Sequence, residues 1–293
     1  MLSALRFARP SHQTLISSAV VLSTIGVASF VTFCSANSSK VALNQFRFQT
    51  FKVSKIEEAT HDTKRIVFDL PGPDYEMGLS VASFVLVQAD INGKSVMRPY
   101  TPVNTNAEKG VIELVVKGYP TGQMSKHIMG LQVGDSLAMM GPIVKFKYEP
   151  NKYKKIGLIA GGSGLTPLLQ VTKEILRNPG DKTEVTLVFA NRTEGDIILH
   201  DELDALQDKY PQLKVHYVLS QPSASWEGLK GHVTKEILQE LLPGPSDDHL
   251  VCVCGPPPMM EAISGCMGWF WRQGQLRGLL KELEYTSSQV YKL

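Results

Sequence analysis

Near residue 154 the sequence changes rhythm, and that change restricts the fold more than any other feature. Beyond it, short apolar runs alternate with helical stretches. Residues 156–160 (IGLIA) lead through Gly-Gly-Ser-Gly into a helical stretch over 166–177. Runs at 185–190 and 215–220 are each followed by a helical stretch, at 201–209 and 235–242. A fourth run, 250–254, passes through Gly-Pro-Pro-Pro into another helix starting at Met259. Strands separated by helices are joined by crossovers and predict a parallel sheet.

Before residue 154 the runs are of β type. Residues 47–53 (RFQTFKV) alternate apolar and polar side chains, as a half-buried strand should. Residues 63–70, 81–89 and 111–117 are further β-rich runs. Gly93, Pro99, Pro102, Gly110, Gly118, Pro120 and Gly122 punctuate this region. Many short strands at this spacing predict a barrel or sandwich. A chain of 293 residues has room for two such domains, expected over 41–150 and 151–293.

The start of the chain is different. Its first acidic residue is Glu57, preceded by Arg6, Arg9, Lys40, Arg47, Lys52 and Lys55. Residues 15–34 form twenty positions without a charge. As a helix they would reach about 30 Å, enough to cross a hydrocarbon core. Four Ser and two Thr make this only a marginal span. The acid-free, Ser-rich, Arg-bearing start reads as a mitochondrial targeting signal. The same stretch reads as a single membrane anchor, and the small residues at 28–36 also suit a secretory cleavage site. Targeting plus anchor over residues 1–40 is the preferred expectation.

Composition narrows the function. The balance of 30 Lys+Arg against 28 Asp+Glu is too even for a general nucleic-acid binder. The four cysteines, Cys34, Cys252, Cys254 and Cys266, are too few to staple a chain this long. Cys252-Val-Cys254 lacks zinc-site spacing, so no metal is expected and Cys252 reads as a buried free thiol.

Four motifs can carry chemistry. In the first, Gly161, Gly162, Ser163 and Gly164 link a buried run to a helix, with Thr166 able to cap it and Pro167 suited to its first turn. Small residues there let backbone N–H groups approach a phosphate. Neither a Walker A nor a GxGxxG pattern is present, and alone the turn is weak evidence. The second motif is Cys254-Gly255-Pro256-Pro257, also at a strand end. Ligands of parallel sheets bind beyond the carboxyl ends of strands, so both loops can line one crevice. The third is Arg98-Pro99-Tyr100-Thr101, which offers a guanidinium fork, an aromatic face and a hydroxyl. The fourth runs from Lys117 through Tyr119 to Gly122-Gln123-Met124-Ser125, with amides and a hydroxyl suited to an anion. Read singly, each is an ordinary turn as readily as a site.

Their order is more specific. Arg-x-Tyr-Thr, Gly-x-Met-Ser, Gly-Gly-Ser-Gly-x-Thr-Pro and Cys-Gly-Pro-Pro-Pro follow one another from a β region into an α/β region. This resembles the ferredoxin reductase-like flavoproteins and, within them, the NADH–cytochrome b5 reductase family, over about residues 45–265. The charge-free start, IVKFKYEPN at 143–151 and the QGQL at 273–276 resemble the fungal mitochondrial members.

The resemblance implies an antiparallel FAD-binding β-barrel followed by a parallel-sheet NADH-binding α/β domain. It implies Arg98, with Pro99, on the FAD pyrophosphate, Tyr100 against the isoalloxazine and Thr101 at its reactive edge. Val115, Lys117 and Tyr119 would line the flavin site. Gly122, Gln123, Met124 and Ser125 would complete the cradle, with Thr166 approaching from the second domain. Gly161, Gly162, Ser163, Gly164, Cys254, Gly255, Pro256 and Pro257 would hold NADH, Cys254 lying near the nicotinamide. Thr101 and Cys254 are thus the residues implied at the reacting centre. The implied activity passes electrons from NADH through FAD to cytochrome b5 or a similar one-electron haem protein. A monomer at the mitochondrial outer membrane is implied, crossing once, with a processed intermembrane-space form as an alternative.

Some positions depart from the family pattern. Ser163 stands where Thr is common. Ser220 stands where NADH-selective relatives often carry an acid, so preference between NADH and NADPH stays open. Residues 264–272 (SGCMGWFWR) replace a polar stretch, and the chain ends in Leu293 where the family usually ends in Phe. Rival readings are a related flavin reductase with NADPH or another acceptor, and a poorly active FAD-binding interaction protein. His127 reads as a capping or solvated residue, and His61, His200 and His232 have no motif around them. The basic run 145–155 reads as a solvated face or as a meeting point for an acidic haem protein.

Overall fold

The computed structural model describes residues 40–268 and 272–293. The expected targeting and membrane segment and the aromatic run at 269–271 lie outside the described residues. Among the described residues no helix is long and apolar enough to cross a membrane.

The strands and helices follow in chain order. β1 (Lys40–Val41), β2 (Gln49–Thr60), β3 (Thr63–Asp69), β4 (Tyr75–Glu76), β5 (Ser83–Ile91), β6 (Lys94–Tyr100) and β7 (Val111–Lys117) precede α1 (Gln123–Met129) and β8 (Ser136–Val144). Then come β9 (Lys155–Gly161), α2 (Leu165–Arg177), β10 (Glu184–Asn191), α3 (His200–Lys209), β11 (Leu213–Leu219) and β12 (Leu229–Lys230). The chain closes with α4 (Lys235–Leu241), β13 (His249–Cys254), α5 (Pro257–Ile263), α6 (Gly278–Glu282) and β14 (Val290–Lys292).

The first sheet is antiparallel, in the order β6-β5-β8-β2-β3-β7. Along β2, Phe51 and Val53 are buried while Lys52 between them is exposed, as the period of two demands. Among the described residues the expected barrel is not closed by backbone pairing: β6 and β7 are its edge strands. α1 touches β5, β6 and β7 instead, burying Met124 and Ile128. Strand β6 was not anticipated, because Pro99 interrupts its pattern. Proline lacks a ladder donor and is tolerated on an edge, which is where β6 lies. α1 has seven residues, too few to show a helical period.

The second sheet is parallel, in the order β12-β11-β10-β9-β13-β14. Six of the seven residues of β9 are buried, as expected of a strand covered on both faces. On one face Leu158 packs with Leu165, Leu168 and Leu169 of α2 and Leu203 of α3. On the other, Ile159 packs with Leu238 of α4, Ile263 of α5 and Leu280 of α6. Apolar runs at 156–160, 185–190, 215–220 and 250–254 all lie on parallel strands, within one or two residues of their expected ends. Cys252 is fully buried and free, as expected. The three-residue β14 is an addition the sequence did not announce. It pairs with β13 at Val251↔Val290.

Candidate active site

β9 and β13 are neighbours, with Ala160 opposite Cys254, so their loops emerge side by side. After β9 a short 3-10 turn, Gly162–Gly164, leads into α2. Gly164 lies so close to the second loop that a Cβ there would be 2.3 Å from the Cys254 carbonyl oxygen. The helix has no side-chain cap: Gly164 is its N-cap, while Thr166 lies within the first turn and donates to the Ser163 carbonyl at 3.3 Å. The capping role expected of Thr166 is therefore not seen, because the turn places Gly164 one position before the helix.

These loops form one wall of a cleft of about 810 Å³, within the range of small-molecule and cofactor sites. Ser163, Gly164, Thr166, Cys254, Gly255, Pro256 and Pro257 line it from the parallel-sheet side. Arg98, Pro99, Tyr100, Thr101, Val115, Lys117, Tyr119, Gly122, Gln123, Met124 and Ser125 line it from the other. Gly161 and Gly162 do not line it. Gly161 ends β9 packed against Pro256 and Met259, and Gly162, at φ +50°, faces open space. Sequence reasoning missed Phe84, Thr121, Lys145, Met267 and Leu293, which also line the cleft. Lys145 carried a signal in its basic cluster, Met267 in the divergent stretch 264–272 and Leu293 as the unusual last residue, but none of the three was placed in the site. Phe84 and Thr121 are brought in by folding.

The antiparallel side offers cation and amides together. Arg98 faces Val87 across the ladder and is exposed. Its guanidinium donates to the Met97 carbonyl at 2.7 Å and makes no ion pair among the described residues, leaving further N–H donors for a ligand. The first turn of α1 has no side-chain cap, and its residues Gln123, Met124 and Ser125 line the same cleft. A Cβ on Gly122 would be 2.2 Å from the Ser125 hydroxyl, which itself donates to the Gly122 carbonyl. Burial pushes the Tyr100 hydroxyl up to about 12, against the pull of Arg98, so it stays neutral.

Lys117 is tied up differently. Its ammonium lies 2.9 Å from Asp62 and 3.2 Å from Asp196. Burial disfavours its charge, but these two bonds outweigh that and raise its pKa. Burial also works against Asp196, yet Thr193 and then Lys117 hold its carboxyl below the usual range. His61, Asp62 and Asp196 bring ligand-type atoms together, with the lysine ammonium already between the carboxylates. Nearby, Arg65 pairs with Glu113 and Glu202, and Lys173 with Glu202 and the Val103 carbonyl. Lys117 is thus a strut joining the two sheets, with its stem along the cleft.

Cys254 is half-buried, and burial pushes its thiol up to about 12. A neutral thiol at ordinary pH is a contact surface, not a nucleophile. His127 sits in the last turn of α1.

The family model for the oxidoreductase FAD-binding domain matches residues 50–148, and that for the oxidoreductase NAD-binding domain matches 158–265. The cleft lies between these two stretches. The chain is 40% identical over 300 residues to NADH-cytochrome b5 reductase 2 of Saccharomyces cerevisiae (strain YJM789), covering 98% of this chain and 99% of that one.

The chain belongs to the NADH–cytochrome b5 reductase family.

An Arabidopsis thaliana NADH-cytochrome b5 reductase-like protein is 44% identical over 259 residues, 86% of this chain and 79% of its own. Among solved structures, the cytochrome b5 reductase domain of Ulva prolifera nitrate reductase superposes with TM-score 0.76 at 30% identity. That match covers 86% of this chain and 99% of the other. As a member of the b5 reductase family the chain is an oxidoreductase that uses FAD and NADH, passing electrons from NADH through the flavin.

The residues fit these groups. Arg98 and the uncapped amides of α1 are donors of the kind a pyrophosphate needs. Gly164, where a side chain cannot fit, brings the second phosphate-type loop against Cys254.

Proposed function

We propose that this b5 reductase holds FAD along the antiparallel wall and NADH along the parallel-sheet wall, and delivers electrons to cytochrome b5 or a similar haem protein. The observation that carries this reading is that Arg98-Pro-Tyr-Thr101 and Cys254-Gly-Pro-Pro257 line one cleft from opposite sides. Arg98 and the amides of Gln123, Met124 and Ser125 bind the FAD pyrophosphate. Tyr100 and Thr101 face the flavin ring, with Val115 and Tyr119 beside them. The Cys254–Pro257 loop and Ser163–Gly164 receive the nicotinamide nucleotide. Bound flavin supplies the chemistry, because it takes a hydride as a pair and releases electrons singly. The protein's share is orientation and exclusion of water. Cys254 packs as a neutral thiol, and Lys117 holds the two sheets in register.

Residues 1–40 serve in this reading as a mitochondrial targeting sequence and a single-pass outer-membrane anchor. The twenty uncharged positions at 15–34 and the acid-free start support it. The catalytic unit works as a monomer facing a membrane-bound haem partner. The test is to reduce the enzyme anaerobically with NADH and add oxidised cytochrome b5. Rapid haem reduction with return of the flavin spectrum is expected. Reoxidation by ferricyanide but not by cytochrome b5 would reject this acceptor.

A further inference from the structure

Lys292 is 2% exposed, an unusual place for an ammonium. Its Nζ donates to three carbonyls: Gln275 at 2.9 Å, Gly274 at 3.2 Å and Cys266 at 3.3 Å. Three donors meet three acceptors, so the group is satisfied without a carboxylate in contact among the described residues. Burial nevertheless holds its pKa below the usual lysine value, with Glu261 acting only at longer range. Gln273 binds the same residue through its main chain, accepting from the Lys292 N–H at 2.9 Å and donating to its carbonyl at 2.8 Å.

Lys292 therefore grips both ends of the stretch after α5, at Cys266 and at 274–275. The residue after Cys266 is Met267, which lines the cleft together with Leu293, Cys254 and Pro257. Leu293 is held in turn by its N–H on the Val253 carbonyl at 3.0 Å. A lysine with no role in the reacting centre thus fixes the outer wall beside Cys254.

We propose that Lys292 is a positioning residue for the electron donor: through the Cys266 carbonyl it holds Met267 beside Cys254 and Pro257, and so sets how the nicotinamide nucleotide seats. The inference rests on the reading that NADH binds at the Cys254 end. A residue serving stability alone would change unfolding and leave the donor's KM where it was.

The test uses the full-length holoenzyme with ferricyanide as acceptor, so that no haem protein is involved. Lys292→Met should raise the KM for NADH about ten-fold, with kcat and flavin content within about two-fold of the parent. Lys292→Arg keeps charge and donors and should recover most of the loss. Met267→Ala leaves the carbonyl cage intact and should raise the KM about three-fold. This variant decides the matter if Lys292→Met does not fold. An unchanged NADH KM in the variants that fold overturns the proposal. A parent enzyme whose flavin NADH fails to bleach would overturn the underlying reading of the cleft as well.

Discussion

The Tyr119 hydroxyl lies 2.8 Å from the Ser163 hydroxyl, joining the loop before α1 to the turn before α2 across the cleft. It is a direct bond between the two walls, made by side chains 44 positions apart in sequence. Tyr119→Phe and Ser163→Ala should each cost about 1 kcal/mol, and the double variant little more than either alone. Urea unfolding of all three variants measures the coupling. Strict additivity would show that the bond is not made in solution.

Gly164→Ala should disable the donor side selectively. Its backbone is helical, so conformation is no obstacle, but the new methyl meets the Cys254 carbonyl. Main chain cannot yield as a flexible side chain can, and overpacking of this kind costs about 1–3 kcal/mol. The expected enzyme retains FAD, read from its visible spectrum, while the NADH concentration needed for bleaching rises at least about ten-fold. Unchanged NADH titration would place the donor elsewhere.

Arg98→Met should weaken FAD binding. A charge-assisted hydrogen bond to phosphate contributes about 1.5–3 kcal/mol, which is roughly ten- to a hundred-fold in affinity. Flavin retained after gel filtration at low concentration is the readout. Full retention would remove Arg98 from the cofactor site.

Removing the Lys117 strut should be destabilising in a pH-dependent way. Asp62 and Asp196 have folded pKa values below the ordinary 3.8, so the native state binds fewer protons than the unfolded chain in acid. Their contribution is fully present above the ordinary carboxylate range and is lost as pH falls through the lowered values. Lys117→Met should therefore cost about 2 kcal/mol at pH 7, between a surface and a fully buried pair, and less near pH 3, below the ordinary carboxylate value. Urea unfolding at both pH values checks this. An equal cost at both would mean the strut acts through packing.

The thiols should differ in reactivity. Cys252 is buried and Cys254 half-buried, both pushed up to about 12, whereas Cys266 is exposed. Iodoacetamide at pH 8 should label Cys266 first among these three, and Cys252 only on unfolding. Mass spectrometry of the alkylated peptides gives the order. Labelling of Cys254 as fast as Cys266 would argue for an open cleft at that wall.

Sequence periodicity exposed the parallel sheet well, because strands buried on both faces read as continuous apolar runs such as LVCVC at 250–254. The antiparallel sheet was harder to read. β6 carries Arg98 and Pro99 on an edge, where neither burial nor alternation imposes a pattern. The motif residues were legible by type, but roles set by distant partners were not. Nothing near Lys117 in sequence announces Asp62 or Asp196, and nothing near Met267 announces Lys292. Gly161 and Gly162 were grouped with Gly164 by adjacency, although the turn aims only part of that run at the cleft.

The most direct measurement is the visible spectrum of the purified full-length protein, before and after anaerobic titration with NADH. A flavin spectrum that bleaches near one equivalent of NADH is the predicted result. Protein that carries no flavin and takes up none from added FAD, or whose flavin NADH does not bleach, would contradict the assignment of the two walls to FAD and NADH.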